Sequence, residues 1–275
     1  MSTRTTILGT ACVLGMALVA GQAAAATLTG FAGTLTTSFT SADNSSSGSD
    51  TVKSWLLGGA VAGPLSDVPN LNFQVGASYT HNWAHEFSQE DWNFNGNAFW
   101  AGMDSRIGAN VAYLNATHFG SAYNGGAFGE WYFDNLTGMA KGGWLWTTGS
   151  DIGGRGNYLG AGLEFYAMPD LGITGGVEWA DIVTGRGCQT CGREDLNITA
   201  WEIAAEFLFS EDYGISGYAG FTYDQDKSFG SSTHDTIWHV GLRWYTGGGS
   251  LQSHQRNGNL NPWLPNVGPF NSTAF

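Results

Sequence analysis

The sequence of 275 residues has few charges, and basic residues are the scarcest. Charged residues make up 12% of it, and 10 Lys and Arg stand against 23 Asp and Glu, which gives a formal net charge of −13 at pH 7. Proteins that bind nucleic acid or dock on anionic lipid head groups need clustered Lys and Arg. The composition therefore argues against a nucleic-acid partner and against docking through a basic patch.

Long apolar runs are also missing beyond residue 26, where no run reaches 18 residues, so no transmembrane helix is expected there. The one long apolar run, from Ile7 to Ala20, follows Arg4 and precedes the small residues of 22–26. This pattern is typical of a cleaved secretory signal peptide, and the run is too short for a retained anchor helix. We expect residues 1–26 to be removed on export.

Cysteine is rare, and only Cys188 and Cys191 remain after that cleavage. A zinc site usually has four ligands, and the chain has no second pair of cysteines to complete one. In an oxidising compartment we expect a disulfide at the tip of the longest loop, which closes too few residues to add much stability. No cofactor or metal is expected.

Alternation of apolar and polar residues is the dominant pattern, and it is clearest in 236–245. There Trp238, Val240, Leu242 and Trp244 share one face, while His239 and Arg243 share the other. An apolar face that carries tryptophan at both ends, opposite a polar face, is typical of a strand with lipid on one side and a polar lumen on the other.

Twelve such strands follow from the alternation and the turn residues between them. Short connections alternate with longer, Gly- and Ser-rich ones, as in barrels with short periplasmic turns and long outer loops. We therefore predict an all-β fold: a transmembrane, antiparallel, up-and-down β-barrel in 27–246. The predicted strands are 27–41, 52–63, 71–82, 91–102, 106–116, 122–133, 138–148, 157–167, 171–182, 196–209, 213–224 and 235–246.

The proposed lipid face is free of charged residues in strand after strand. It carries, for example, Leu159, Leu163 and Phe165 in one strand and Trp201, Ile203 and Phe207 in another. A secreted β-sandwich would also alternate, but it rarely keeps one face of every strand free of charge. The pattern favours the membrane barrel.

Over 27–246 the chain resembles the outer-membrane β-barrel proteins of Gram-negative bacteria, in the broad porin-like sense. The last strand is similar to the assembly signal that such proteins present to the barrel-insertion machinery, with Trp244 as its terminal aromatic residue. The resemblance implies an outer-membrane location, contact with outer-membrane lipid and lipopolysaccharide, and assembly by that machinery. Here, however, the last strand is not the C-terminus.

A tail, 247–275, follows the last strand and contains Pro262, Pro265 and Pro269. Proline cannot donate to a strand ladder, so we do not expect a further membrane strand. We expect a disordered periplasmic tail, and the alternative is a segment folded back under or into the barrel, because Trp263, Leu264 and Phe270 would be unfavourable in water.

The inward face of the strands gives the predicted lumen. Its first four strands carry neutral Asn, Gln and Ser, whereas later strands carry charge and a histidine. With a turn centred between Asn135 and Leu136, Glu130 lies opposite Lys141, and Glu178 lies almost opposite Glu202. The predicted lining residues are Glu130, Lys141, Glu164, Glu178, Glu202, Glu206, His239 and Arg243.

We therefore expect a porin-like channel for passive diffusion of small hydrophilic solutes, cationic or neutral, because the acidic residues outnumber the basic ones on this face. A barrel of twelve strands has a lumen of intermediate width, so the sequence is compatible with either a permeable or an occluded lumen. None of the predicted loops is a convincing constriction loop of the kind found in trimeric porins, which favours a monomer.

Two alternative functions belong to other classes of protein. One is a non-conducting structural or adhesive barrel. The other is a hydrolase at the outer rim, where Asp226 and His234 in one loop, or His85 and Glu86 in another, could activate water. Solvated loop charges explain these residues equally well, and no serine lies in a nucleophile motif, so an enzyme is not expected.

Overall fold

The computed structural model describes residues 31–44, 51–65, 68, 70–84, 87–116, 120–148, 153–184, 194–228 and 231–263. Its strands form one closed antiparallel barrel in which each strand pairs with its neighbours in sequence. The predicted fold class and all twelve strands are confirmed. The strands are β1 Ala32–Asn44, β2 Val52–Pro64, β3 Leu71–Ala84, β4 Phe87–Ala101, β5 Ser105–Ala116, β6 Gly120–Phe133, β7 Leu136–Thr148, β8 Gly154–Met168, β9 Leu171–Thr184, β10 Glu194–Ser210, β11 Ile215–Ser228 and β12 Ser231–Tyr245.

The barrel closes through β1 and β12, where Leu35 lies opposite Trp244 and Phe39 lies opposite Val240. Closure leaves no sheet edge with unpaired backbone groups, which is what a β-structure requires in lipid. We call the end where β1 begins and β12 ends the tail end, and the other the far end. In the described part of the chain, no helix combines the length and the apolar character needed to cross a membrane.

The two faces of each strand differ as predicted, and β8 shows this most regularly. Leu159, Leu163 and Phe165 are exposed on the outside, whereas Tyr158 and Glu164 between them are buried inside. In β12, Trp238, Val240 and Leu242 are more than half exposed, at 59%, 55% and 53%. Such a contiguous apolar exterior is unfavourable in water and suits contact with lipid.

The strands extend further toward the far end than predicted. The β11–β12 hairpin pairs as far as Ser228 and Ser231, so Asp226, predicted to lie in a loop, belongs to a strand, and Asp235, predicted to begin the last strand, lies inside it. Likewise β3 and β4 pair as far as Ala84 and Phe87. Polar residues weaken the sequence signal for strands, but backbone pairing across a hairpin continues regardless of side-chain type.

The first part of the tail lies inside the barrel, so the expectation of disorder is wrong for 251–263. Helix α1, Leu251–Asn257, begins at Ser250, whose hydroxyl accepts a hydrogen bond from the Ser253 amide at 3.3 Å. Leu251 is fully buried and packs with Leu208 and Tyr245 on the inner wall. Burying Leu251, Leu260 and Trp263 removes apolar surface from water, which favours this docked position.

Several sequence predictions lie outside the described residues. They are the signal peptide 1–26, the first predicted strand residues 27–30, the pair Cys188 and Cys191, the residues His85 and Glu86, and the tail beyond 263.

Candidate functional site in the barrel lumen

The lumen contains a cavity of about 270 Å³ bounded by the barrel wall and by the tail. One wall is neutral and hydroxyl-rich, with Thr36, Ser38 and Asn95 from β1 and β4. The opposite wall comes from β9 to β12 and is charged. The tail closes the cavity toward the tail end with Gln255, Leu260, Asn261, Pro262 and Trp263. The two walls of this cavity therefore differ in charge.

All eight predicted lining residues project inward, but they fall into two groups. The first group lines the cavity: Glu178, Glu202, Glu206, His239 and Arg243. The second group, Glu130, Lys141 and Glu164, is at most 2% exposed and lies against the tail. The two-residue alternation along each strand predicted the inward direction of these side chains, but it could not predict that the tail would cover three of them.

The predicted pairing of Glu130 with Lys141 is wrong. The turn is a two-residue one at Asp134 and Asn135, with Asp134 at positive φ, so Glu130 lies opposite Met139 and Lys141 lies opposite Phe128. Each charged group finds another partner: Lys141 forms an ion pair with Glu178, and Glu130 lies 3.8 Å from Arg106.

Glu178 and Glu202 are diagonal rather than opposite neighbours. Glu202 faces Gly176, and Glu178 faces Ala200, which is a shift of two residues from the predicted register. Both side chains still point into the lumen and line the cavity. Because Lys141 pairs with Glu178, Glu202 is left as the cavity carboxylate of this pair that forms no ion pair among the described residues.

Arg106 is the important lumenal residue that sequence reasoning missed. It lies on β5 with 3% of its surface exposed, and its guanidinium donates to the backbone carbonyls of Gln255, Gly258 and Asn259 at 3.1 to 3.2 Å, as well as to that of Arg256. These carbonyls end helix α1, where cations are favoured. Arg106 is four residues before Asn110 in the same predicted strand, so the alternation of that strand could have placed both side chains on the inward face.

The rest of the tail is also held by charged residues of the wall. Glu130 accepts a hydrogen bond from the Asn261 amide at 2.9 Å, and Lys141 donates to the Trp263 carbonyl at 2.9 Å. The Lys141 ammonium also lies 3.9 Å from the Trp263 ring centroid, a cation–π contact. Glu164 accepts from the Asn261 side chain. Groups that appeared to belong to a pore thus bind the chain's own backbone.

A second buried network surrounds Arg243 on β12. It forms an ion pair with Glu206, which also accepts hydrogen bonds from Ser216 at 2.5 Å and from the Tyr245 hydroxyl at 2.9 Å. The guanidinium lies 4.7 Å from the Tyr218 ring centroid. This network neutralises Glu206, so the acidic character of the cavity comes from other residues.

The far half of the lumen is partly filled by apolar side chains. Leu145, Tyr158, Ala180, Ile182 and Ile198 pack with Leu114 on the inner side of β5 and β7 to β10. Such a cluster narrows the lumen on that side. The cavity consequently lies off-centre, against β1 to β4 and β9 to β12.

Asp226 and His234, one of the two pairs considered for hydrolysis, do not come together; His85 and Glu86 lie outside the described residues. Asp226 projects inward with Asp224, whereas His234 shares the outer face of β12 with Trp238 and stacks on Tyr223. Residues on opposite faces of a sheet cannot share a proton, so this Asp and His do not form a water-activating pair.

Comparisons of the sequence find no matching family model and no matching curated protein. Solved structures do match, all at low identity. The porin NanC has a TM-score of 0.51 and 11% identity, and the match covers 76% of this chain and 98% of that one. The porin KdgM in complex with disordered oligogalacturonate has a TM-score of 0.50 and 9% identity, covering 76% and 98%. The translocator domain of the autotransporter NalP from Neisseria meningitidis has a TM-score of 0.51 and 12% identity, covering 88% and 99%.

This likeness and the closed twelve-stranded topology give the fold, which is that of porin-like outer-membrane β-barrels. The exposed apolar exterior locates the protein in the bacterial outer membrane, surrounded by its lipid and lipopolysaccharide. Two of these similar structures are porins and one is a translocator domain, so function must be argued from the lumen.

Proposed function

We propose that this chain, which has the fold of a porin-like outer-membrane β-barrel, is a channel for passive diffusion of small hydrophilic solutes, neutral or cationic. The observation that supports it best is the off-centre cavity, which has hydroxyl and amide groups on one wall and Glu178 and Glu202 on the other. Such groups replace part of the hydration of a passing solute, and the carboxylates favour positive charge.

The docked tail is part of the proposed mechanism. Because 251–263 lies across the lumen at the tail end, we infer that conduction requires it to move or that solutes pass beside it. The contacts of the tail are mainly to Arg106, Glu130, Lys141 and Glu164, which are buried polar groups that would need water or solute in its place.

A non-conducting barrel is the second candidate, and the same tail favours it. A lumen that holds its own chain segment through several charge-assisted hydrogen bonds would be stable as a closed plug. The barrel would then serve as an anchor or an adhesive surface. We include it because the docked segment is the strongest structural argument against free diffusion.

Planar-bilayer recording of the refolded chain tests the proposal. Discrete conductance steps with a reversal potential that favours cations under a KCl gradient are the expected result. Absence of steps at every voltage would favour the non-conducting barrel, and a preference for anions would contradict the role given to the acidic wall.

The remaining sequence expectations complete the proposal. We propose that 1–26 is a cleaved signal peptide, that 27–246 is the barrel unit with a periplasmic tail end, and that the barrel-insertion machinery assembles it. We further propose a monomer and a Cys188–Cys191 disulfide in the loop between β9 and β10. No enzymatic activity is proposed.

A further inference from the structure

Three aspartates share the lumenal face at the far end of β11 and β12, and we call them the Asp224 cluster: Asp224, Asp226 and Asp235. Asp224 lies directly opposite Asp235 across the hairpin, and Asp226 follows two residues later on the same face. Asp224 lines the cavity and has only 6% of its surface exposed. Like charges directly opposite each other on a sheet are destabilising unless something intervenes.

Among the described residues, no lysine or arginine forms an ion pair with this cluster, and His234, on the outer face of β12, interacts electrostatically with Asp235. The ion pairs among the described residues join Arg106 to Glu130, Lys141 to Glu178 and Arg243 to Glu206, so none includes an aspartate of the cluster. Within the same described part, Oδ1 of Asp224 and Oδ1 of Asp235 are buried and accept no hydrogen bond.

The neighbouring wall increases the negative charge. Glu178 and Glu202 lie within electrostatic range of Asp224, and Lys141 balances only the first of them. His239 and Thr222 also line the cavity, and His239 lies on the same face of β12 as Arg243. A buried carboxylate without a partner is costly, and a cation of suitable shape would remove that cost.

The geometry favours an organic cation over a metal ion. Among the described residues, no three Asp, Glu, His or Cys side chains converge closely enough to hold a metal. A protonated primary amine carries its charge on three N–H donors and needs three acceptors rather than a closed shell of metal ligands, and the opposed carboxylates of Asp224 and Asp235 supply two of them. The hydroxyl of Thr222, two residues before Asp224 on the same face of β11, also lines the cavity and is the candidate third acceptor.

We propose that the Asp224 cluster is a binding site for small organic cations that carry a protonated primary amine, reached from the far end of the lumen. Binding itself needs only the cavity. A role for the cluster as the first binding site in transport rests on the function proposed above. In that role the cluster would make such amines the favoured solutes of the channel.

Calorimetric titration of the refolded full chain with putrescine, at low ionic strength, tests this site without requiring conduction. We expect binding, no binding of the neutral analogue butanediol, and a loss of affinity of about tenfold to a hundredfold in Asp224→Asn, the range for a hydrogen bond to a charged group. Asp195→Asn is the matched control, because Asp195 is an exposed aspartate on the outer face of neighbouring β10. It should bind as the unmodified chain does.

Asp235→Asn provides a second variant if Asp224→Asn does not fold, and it should weaken binding in the same direction. The proposal is overturned if putrescine does not bind, if Mg²⁺ binds in its place, or if Asp195→Asn weakens binding as much as the cluster variants. Putrescine binding without channel steps in bilayers would contradict the proposed function and leave the site standing. Channel steps without binding would do the reverse.

Discussion

Arg106 is the residue on which docking of the tail depends most. Its guanidinium donates to four backbone carbonyls between residues 255 and 259 and lies 3.8 Å from the carboxylate of Glu130. Arg106→Met keeps most of the side-chain bulk, but it leaves these carbonyls without their donor and the buried Glu130 without its ion-pair partner. Removing one partner of a buried pair costs about 3–5 kcal/mol.

That cost converts into a large change in the undocked population of the tail. At about 1.4 kcal/mol per factor of ten, the undocked fraction should rise roughly a hundredfold to a few thousandfold. Glu130→Gln in the same chain should recover part of the loss, since it removes the unpaired charge but not the orphaned carbonyls.

Limited trypsin digestion measures this population, because Arg256 is the only Lys or Arg in 247–275 and it is held in the docked tail. When opening is fast relative to cleavage, the cleavage rate follows the open fraction. Arg155→Met, which removes an exposed arginine of β8, is the control and should leave cleavage at Arg256 unchanged. If Arg106→Met were cleaved there at the unmodified rate, Arg106 would not hold the tail and the reasoning would be refuted.

Three further predictions concern selectivity, pH and redox state. Glu202→Gln should shift the reversal potential toward zero, because it removes a negative charge that lines the cavity and forms no ion pair among the described residues. Asp195→Asn, on the outer face of β10, should leave the reversal potential unchanged, and equal shifts in both variants would contradict this. Burial against the barrel wall lowers the pKa of His254, so the docked tail favours the neutral imidazole. Docking should therefore weaken, and trypsin cleavage at Arg256 should rise, as the pH falls through about 6.5 and below. His254→Phe keeps the stacking on Tyr245 and should abolish this pH dependence. Thiol labelling of the exported chain under denaturing conditions should find Cys188 and Cys191 unreactive until a reductant is added, and free thiols would exclude the disulfide.

Alternation along the sequence was enough to predict the barrel and the direction of its side chains. A period of two is a local property, so Glu164 and Arg243 could be assigned to the lumen from their own strands. Register is less local, because it depends on whether a turn holds two residues or more. Because the turn holds only Asp134 and Asn135, Glu130 pairs with Met139, two residues before the predicted partner Lys141.

The tail could not be predicted in the same way. Its helix spans only seven residues, Leu251–Asn257, and so short a helix is not stable alone. It forms because Leu251 and Leu260 find apolar surface inside the barrel and because Arg106 satisfies its last carbonyls. Arg106 and Gln255 are 149 residues apart along the chain, and local patterns carry no information about such contacts.

The barrel encloses a polar path whose tail end is occupied by the chain's own tail. The most direct test compares the single-channel conductance of the full chain with that of the chain lacking 247–275, with Arg106→Met as a full-length variant in which the tail is present but released. Both altered chains should have a larger conductance, and all three should prefer cations. Equal conductance in all three, or silence in all three, would contradict this.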